Sequence, residues 1–330
     1  MARGLAAAAV VWWHVAGSEL NSPRRAMWTV SGRLAVWLFF ILSGYLIGSG
    51  FADRRYTWNW ASLGRFYRNR WLRIFPLYLF VGVVSFGIHQ ILGDLHLSVW
   101  ELVRELLMLK LRHDYQLNGV FWTLGIEVQF YLVAPILIFL QLYSPRPMVT
   151  AVIVYIALIY LVKLDGFIYT DGGDARTLIG NLVHFQTGIL ICLCRPLILK
   201  MKSTPAVIGT VTLLALAALL ICNRLYFFNN HAFLHTNGIL LADAMGALVL
   251  IAHILLERRK IRRGWLTTAG LILGVLSYGL YAWHSVVQMV PAFSLGFLFV
   301  FGLSMICAYL SYRLIEQPAL LLKKLGRREK

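Results

Sequence analysis

The sequence predicts an all-α fold: a polytopic membrane bundle of about ten transmembrane helices with both termini in the cytoplasm. Of its 330 residues, 59% are hydrophobic and 14% are charged, whereas about a quarter of the residues in a soluble domain are charged. Apolar stretches long enough to cross a bilayer also recur to the end of the chain. We therefore expect a single membrane domain over residues 1–330.

Ten apolar segments of roughly 20 residues are candidates for membrane spans. They cover about 4–18, 33–51, 74–92, 119–142, 148–164, 178–195, 204–222, 237–256, 267–288 and 294–314. No small-residue cleavage site follows the first segment, so we expect it to be a retained helix and not a signal peptide. The two longest intervals, 52–73 and 93–118, are predicted to be loops.

The basic residues predict the orientation of the chain in the membrane. The formal net charge is +17, which could indicate binding to nucleic acid, but Lys and Arg occur in short clusters between apolar segments. With the N-terminus in the cytoplasm, 22 of the 31 basic residues fall on cytoplasmic segments. The positive-inside bias explains this distribution, so we predict both termini inside and no nucleic-acid partner.

The first apolar segment carries two ionisable residues, Arg3 and His14. In a helix, an eleven-residue separation is three turns, which places both side chains on one face about 16 Å apart. Ionisable groups inside a membrane are costly to place and are candidates for function. We therefore select both as site residues.

Four arginines interleaved with aromatic residues occupy positions 65–73. One interpretation is a juxtamembrane positive-inside cluster with an aromatic belt. The other is a phosphate site, because Arg70 and Arg73 lie one helical turn apart and arginine forks suit phosphate oxygens. On the cytoplasmic side, a nucleotide or coenzyme A would be the phosphate-bearing ligand.

The fourth segment places Thr123, Glu127 and Tyr131 on one helical stripe, with Glu127 about 12 Å inward from Gly119. His14 should lie at a comparable depth. A carboxylate beside an imidazole would raise its basicity and fix its tautomer, as a general base acting on a hydroxyl requires. A structural hydrogen bond between helices is the equal alternative.

Other polar residues recur inside the predicted spans, and they include His184, Gln186, Asp243 and His284. Each alone is best interpreted as a satisfied structural group, but together they predict a polar cavity between helices. All four cysteines lie in apolar stretches, so we expect neither disulfides nor a metal site.

Five sequence blocks in a fixed order resemble the acyltransferase-3 family of integral-membrane O-acyltransferases, which modify O-antigens and exopolysaccharides. The blocks are Arg3-Gly-Leu-Ala…Val-Val-Trp-Trp-His14, Val36-Trp-Leu-Phe-Phe-Ile-Leu-Ser-Gly-Tyr-Leu-Ile47, Phe66-Tyr-Arg-Asn-Arg70-Trp-Leu-Arg73-Ile-Phe-Pro-Leu-Tyr78, Trp122-Thr-Leu-Gly-Ile-Glu127-Val-Gln-Phe-Tyr131, and Leu276-Ser-Tyr-Gly-Leu-Tyr-Ala-Trp-His284 followed by Ser311-Tyr-Arg-Leu-Ile-Glu-Gln-Pro318. Each block alone is weak evidence. Their ordered combination across nearly the whole chain is specific.

The resemblance implies ten helices, a cytoplasmic acyl-CoA donor and a carbohydrate acceptor such as an exopolysaccharide, O-antigen or lipid-linked oligosaccharide. It implies that Arg3 and His14 are an essential pair, that Arg70 and Arg73 form an Arg-x-x-Arg motif linked to donor binding, and that Glu127 is the acidic residue of its block. The expected enzyme is an acyl-CoA-dependent O-acyltransferase, with acetyl-CoA as the favoured donor. Its expected location is among the lipids of a bacterial inner membrane.

The sequence also departs from the family pattern. Relatives usually have several residues before the first arginine, and Val128 replaces what is often a second acidic residue. No C-terminal esterase-like domain is expected, although many relatives carry one. The alternative function is a proton-coupled transporter or flippase for a small anion or lipid-linked glycan, in which the buried charges would form an ion path.

Overall fold

The computed structural model describes residues 2–19, 31–110, 115–164, 176–201, 203–228, 238–258, 264–290 and 296–325, and every regular element within them is helical. The α-helices are α1 (Ala2–Glu19), α2 (Gly32–Ala52), α3 (Trp60–Leu92), α4 (Val99–Leu106), α5 (Phe121–Leu142), α6 (Pro147–Leu164), α7 (Leu178–Ile198), α8 (Pro205–Phe228), α9 (Gly238–Arg258), α10 (Trp265–Met289), α11 (Phe297–Ser311) and α12 (Gln317–Leu325). A π-helical turn, Tyr312–Glu316, joins α11 to α12.

Eight helical segments among the described residues are long and apolar enough to cross a membrane. The shorter helices α1 and α6 coincide with the two remaining predicted spans. The prediction of an all-α membrane bundle is therefore confirmed. The cytoplasmic location of both termini stays a prediction.

The two intervals predicted to be loops are partly helical, so that prediction was wrong. Helix α3 begins at Trp60 because the Asn59 side chain caps it, accepting a hydrogen bond from the Ser62 amide at 2.9 Å. Helix α4 begins with a capping box between Ser98 and Glu101. The hydrogen bonds from Ser98 hold the pKa of the exposed Glu101 carboxyl below its usual value.

The chain forms two compact units, and each is described by itself. Unit 1 comprises residues 1–55 and 134–274, and unit 2 comprises residues 56–133 and 275–330. Helices α5 and α10 contribute one part to each unit.

Within unit 1, helices α2 and α7 pack backbone to backbone. A Cβ atom on Gly44 would collide with the Phe185 carbonyl, and one on Gly188 would collide with the Ile41 carbonyl. Glycine at both positions thus permits the close approach expected of small residues in membrane helices. Helices α2 and α7 therefore form a closely packed pair within unit 1.

Unit 2 contains a buried polar clamp around Glu105. Its carboxylate accepts hydrogen bonds from Lys110 Nζ at 2.7 Å and from the amides of Gln116 and Leu117 at 2.9 Å each. The hydroxyl of the buried Tyr78 donates to the Glu105 carbonyl. The clamp therefore ties α3 and α4 to the segment that leads into α5.

The π-helical turn accommodates Pro318 near the start of α12. Proline has no amide proton for the usual helical hydrogen bond, and its ring crowds the preceding turn. The Gln317 amide bonds to the Tyr312 carbonyl, five residues back, and the wider turn places Glu316 in the interior of unit 2. Such π turns often occur at functional sites.

Candidate active site

The five site residues predicted from the sequence divide between the two units. Arg3 and His14 belong to unit 1, and Arg70, Arg73 and Glu127 belong to unit 2. Each group therefore has its own local environment. The predicted orientation of His14 by Glu127 stays a prediction.

His14 lies on α1, and its ring is held by its own helix. Nδ1 lies 3.0 Å from the Val10 carbonyl oxygen. A carbonyl oxygen can only accept a hydrogen bond, so Nδ1 carries the proton and the neutral ring has its lone pair on Nε2. This is the tautomer that a general base needs, and the His14 side chain is exposed.

Trp13, next to His14 in the sequence, packs against Gly32 at the start of α2. A Cβ atom on Gly32 would lie 2.6 Å from Trp13 Cδ1, so the indole occupies the space that the glycine leaves. At the other end of α1, the Arg3 guanidinium lies 6.0 Å from the centroid of the Phe39 ring. Arg3 and His14 are thus on one continuous helix, as predicted, and both ends of that helix contact α2.

In unit 2, Arg70 lies against two aromatic rings that also contact each other edge to face. Its guanidinium carbon lies 5.5 Å from the centroids of both Phe66 and Tyr131. The Tyr131 hydroxyl in turn donates to Glu127 Oε1 at 2.6 Å. Tyr131 therefore connects the predicted donor-binding arginine to the predicted acidic residue, although the two were assigned separate roles.

The contacts with the two rings leave the N–H groups of Arg70 available to a ligand. Cation–π contacts hold the guanidinium in place without using its N–H groups in hydrogen bonds to an oxygen acceptor. Its Nε has no hydrogen-bond partner among the described residues. The arrangement is suited to binding an anion in the plane of the guanidinium.

Arg73 lies beside the π-helical turn, where it contacts Glu316. Its Nη1 lies 3.9 Å from Glu316 Oε2, a long ion pair, and the Glu316 side chain is only 3% exposed. Neither oxygen of Glu316 has a hydrogen-bond partner among the described residues. Helix α12, which carries Lys323, packs against α3, the helix that carries Arg70 and Arg73. Unit 2 therefore places a third basic residue on a helix next to the two arginines.

Two tyrosines of α10 fix the helices around this cluster. The buried Tyr278 hydroxyl donates to the Ile74 carbonyl of α3 at 2.7 Å. The Tyr281 hydroxyl lies 2.8 Å from Thr123 Oγ1 on α5. These bonds tie α10 to both the helix that carries Arg73 and the helix that carries Glu127.

Glu316 and Lys323 are candidate site residues that the sequence analysis did not select. Glu316 had a signal, because it is a carboxylate within an apolar stretch and within a block shared with the family. No sequence feature distinguished Lys323 from the other residues of the C-terminal basic cluster, and the positive-inside bias already explained that cluster.

The polar residues predicted to line a cavity form specific pairs in unit 1. His184 on α7 contacts Asp243 on α9, with 2.6 Å between Nδ1 and Oδ1. Gln186 exchanges hydrogen bonds with Gln141 on α5. The interpretation of these residues as interhelical polar groups is consistent with the pairs, while the cavity stays a prediction.

Comparison with known proteins agrees with the sequence blocks. A family model described as an acyltransferase domain matches residues 1–313. The O-acetyltransferase OatA of Staphylococcus aureus strain NCTC 8325 is 24% identical over 89% of this chain and 53% of its own length. A second protein of S. aureus strain COL, provisionally named as an O-acetyltransferase, is 26% identical over 88% of this chain and 53% of its own length.

The chain thus spans about half the length of the curated relatives that it matches. No solved structure matches the chain. None of these relatives has a name that indicates transport, so the alternative of a transporter or flippase gains no support. Because the family model covers nearly the whole chain, the protein belongs to the acyltransferase-3 family of membrane acyltransferases.

Proposed function

We propose that the protein is a membrane O-acetyltransferase that moves an acetyl group from acetyl-CoA to a hydroxyl of a surface or lipid-linked carbohydrate. The observation that carries this proposal is the pair Arg70 and Arg73 on α3, packed against the helix that carries Lys323, in a chain from an acyltransferase family. Coenzyme A bears several phosphates, and arginine forks bind phosphate oxygens through strong charge-assisted hydrogen bonds. The names of the relatives support acetyl as the group transferred.

Arg70 and Arg73 have different roles in donor binding. Arg70 is preorganised by Phe66 and Tyr131, so it loses little side-chain entropy when it binds a phosphate. Arg73 interacts with Glu316 at a distance too long for a hydrogen bond. A donor phosphate competes with that carboxylate for Arg73, and Lys323 adds a third positive charge.

His14 acts as the general base. Its Nε2 lone pair takes the proton from the acceptor hydroxyl as the oxygen attacks the thioester carbonyl of acetyl-CoA. The C–S bond breaks, the acetyl group is transferred to the oxygen, and the thiolate of coenzyme A regains a proton to leave as the thiol. Arg3 lies on the same helix and contributes positive charge to the donor or to the developing oxyanion.

The expected location is the bacterial inner membrane with both termini in the cytoplasm. This orientation puts Arg70 and Arg73 near the cytoplasmic surface, where acetyl-CoA is available, and follows from the distribution of basic residues. A fluorescent protein fused after Lys330 should be fluorescent, and alkaline phosphatase fused there should be inactive. The reverse pattern would contradict the orientation.

Donor binding is tested with Arg70→Gln and the matched control Arg68→Gln, a neighbouring arginine that is exposed on the same helix. Purified proteins are assayed for thiol release from acetyl-CoA with a mixture of surface polysaccharides. Arg70→Gln should raise the KM for acetyl-CoA by about tenfold to a hundredfold, the effect of losing charged hydrogen bonds. Arg68→Gln should match the wild type. Equal KM values for Arg70→Gln and the wild type would contradict the donor site.

A further inference from the structure

His184, Asp243 and Tyr155 form a buried cluster in unit 1. They come from helices α7, α9 and α6. His184 Nδ1 lies 2.6 Å from Asp243 Oδ1, and the Tyr155 hydroxyl donates to Asp243 Oδ2 at 2.9 Å. The side chains of His184 and Asp243 are only 1% and 2% exposed. Both oxygens of the carboxylate thus have a partner.

These contacts fix the ring of His184 in one orientation. With Asp243 as the acceptor, Nδ1 carries the proton, so the neutral ring presents a lone pair at Nε2. Trp37 of α2 stacks on the imidazole, with ring centroids 4.7 Å apart. The ring therefore cannot rotate without breaking a short hydrogen bond and an aromatic contact.

Nε2 of His184 is buried and has no hydrogen-bond partner among the described residues. An unpaired acceptor in an apolar interior costs about 1–3 kcal/mol, so such atoms are normally paired. The rest of the cluster is arranged to hold this atom in place.

The neighbouring glutamine pair shows how unit 1 completes a polar contact between helices. Gln141 and Gln186 exchange two amide hydrogen bonds, at 3.0 and 2.9 Å. The second proton of each amide is bonded to a backbone carbonyl, that of Leu137 or Ala151. Gln186 is two residues from His184 on the same helix and is fully hydrogen-bonded. The lack of a hydrogen-bond partner at His184 Nε2 is therefore specific to that position on α7 and not shared by Gln186.

We propose that His184 Nε2 is a binding site for a hydroxyl group of the carbohydrate acceptor. The lone pair on Nε2 can accept a hydrogen bond, and both oxygens of the Asp243 carboxylate already have partners, so the site favours an uncharged hydrogen-bond donor. A hydroxyl group is the donor that a carbohydrate provides. His184 accepts a hydrogen bond from a hydroxyl other than the one that is acetylated. The assignment rests on the proposed acetyl transfer only for the identity of the ligand.

The first test observes the nitrogen directly and needs no turnover. Histidine labelled with ¹⁵N is incorporated into protein solubilised in a detergent without sugar, and His184→Gln assigns the Nε2 signal. Octyl β-glucoside, a sugar on an apolar tail, is the probe, and a hydroxyl-free octyl ether is the control. The signal should start in the range of an unprotonated nitrogen and shift with the glucoside alone. No shift, or an equal shift with the ether, would overturn the proposal. It would also be overturned if the Nε2 signal, before any glucoside is added, already showed a hydrogen bond from a bound water.

The second test separates binding from a purely structural role. His184→Leu should raise the KM for the carbohydrate acceptor about fivefold to tenfold while the KM for acetyl-CoA stays unchanged. His184→Gln should restore much of the acceptor affinity, because its amide oxygen can replace Nε2 as a hydrogen-bond acceptor. His253→Gln, the same substitution on α9, is the matched control and should match the wild type. An equal loss in His184→Leu and His184→Gln, accompanied by lower thermal stability in both, would overturn the proposal.

Failure of this site and failure of the proposed function are distinguishable. If the wild type transfers no acetyl group but the Nε2 signal shifts with the glucoside, acetyl transfer fails and the hydroxyl site stands. If acetyl transfer proceeds and the signal does not respond, the hydroxyl site fails and the proposed function stands.

Discussion

Unit 2 buries two carboxylates, Glu105 and Glu316, in contrasting environments. Glu105 accepts three hydrogen bonds, from Lys110 and from two backbone amides. Glu316 has the Arg73 guanidinium at 3.9 Å, and neither of its oxygens has a hydrogen-bond partner among the described residues. Both side chains are shielded from solvent, so burial alone does not explain the difference.

The same contrast occurs in unit 1, between the complete Gln141–Gln186 pair and the open nitrogen of His184. Burying a polar group without a partner is costly, so a group with only a structural role is expected to be fully bonded. On this basis, Glu105 and the Gln141–Gln186 pair are assigned structural roles, and Glu316 and His184 are candidates for contact with a ligand.

The largest expected effect is on stability, for Glu105→Gln. Neutralising the buried Glu105 carboxylate removes its ion pair with Lys110 and weakens its bonds to two backbone amides, and the expected loss is about 3–5 kcal/mol. SDS-denaturation titration of the purified protein measures this loss. Glu101→Gln, an exposed substitution of the same type on α4, should cost far less. Wild-type stability for Glu105→Gln would show that the complete clamp is not structural.

The second effect is on donor binding, for the double variant Arg73→Gln/Glu316→Gln. Replacing both partners avoids a buried unpaired charge, so stability should stay near that of the wild type. Loss of the Arg73 fork should raise the KM for acetyl-CoA about tenfold to a hundredfold. An unchanged KM together with a large loss of stability would mean that this pair is structural, like Glu105–Lys110.

The glutamine pair provides the third prediction. Gln186→Leu leaves the amide of Gln141 partly unbonded in an apolar interior, which should cost about 1–3 kcal/mol. Gln141→Leu/Gln186→Leu removes both amides and should recover most of that stability. SDS-denaturation curves of the two single variants and the double variant measure the coupling. A change in either substrate KM without a change in stability would contradict the structural assignment.

The smallest effect is expected for Glu316→Gln alone. Neutralising this carboxylate removes its competition with the donor phosphate for Arg73, so the KM for acetyl-CoA should fall about fivefold, which corresponds to about 1 kcal/mol. Titration calorimetry with coenzyme A measures the same change without turnover. A weaker affinity for coenzyme A would show that Glu316 supports the donor site instead of competing with the donor.

Much of the fold follows from the sequence, because apolar segments of sufficient length identify membrane helices without knowledge of their contacts. The helical start of α3 was missed because residues 60–73 are rich in arginine and fall below the hydropathy of a span. The asparagine cap at position 59 was the available local signal.

The candidate site is less predictable, since it depends on contacts between residues distant in sequence. Arg70 and Arg73 follow from spacing within one helix, as do Arg3 and His14. The approach of Glu316 to Arg73 depends instead on the π-helical turn beside Pro318 and on the packing of the C-terminal segment against α3. Similarly, no periodicity indicates that His184 pairs with Asp243, because the two lie on different helices.

The most direct test of the central claim follows a labelled acetyl group from acetyl-CoA to a carbohydrate acceptor. The wild type, His14→Gln and the control His253→Gln are compared as purified proteins with the same surface polysaccharides. The wild type and His253→Gln should transfer acetyl only when acceptor is present, and His14→Gln should be slower by about a hundredfold to ten-thousandfold, the usual contribution of a general base. Equal rates for His14→Gln and the wild type, or thioester cleavage without any acetylated carbohydrate, would contradict the proposed function.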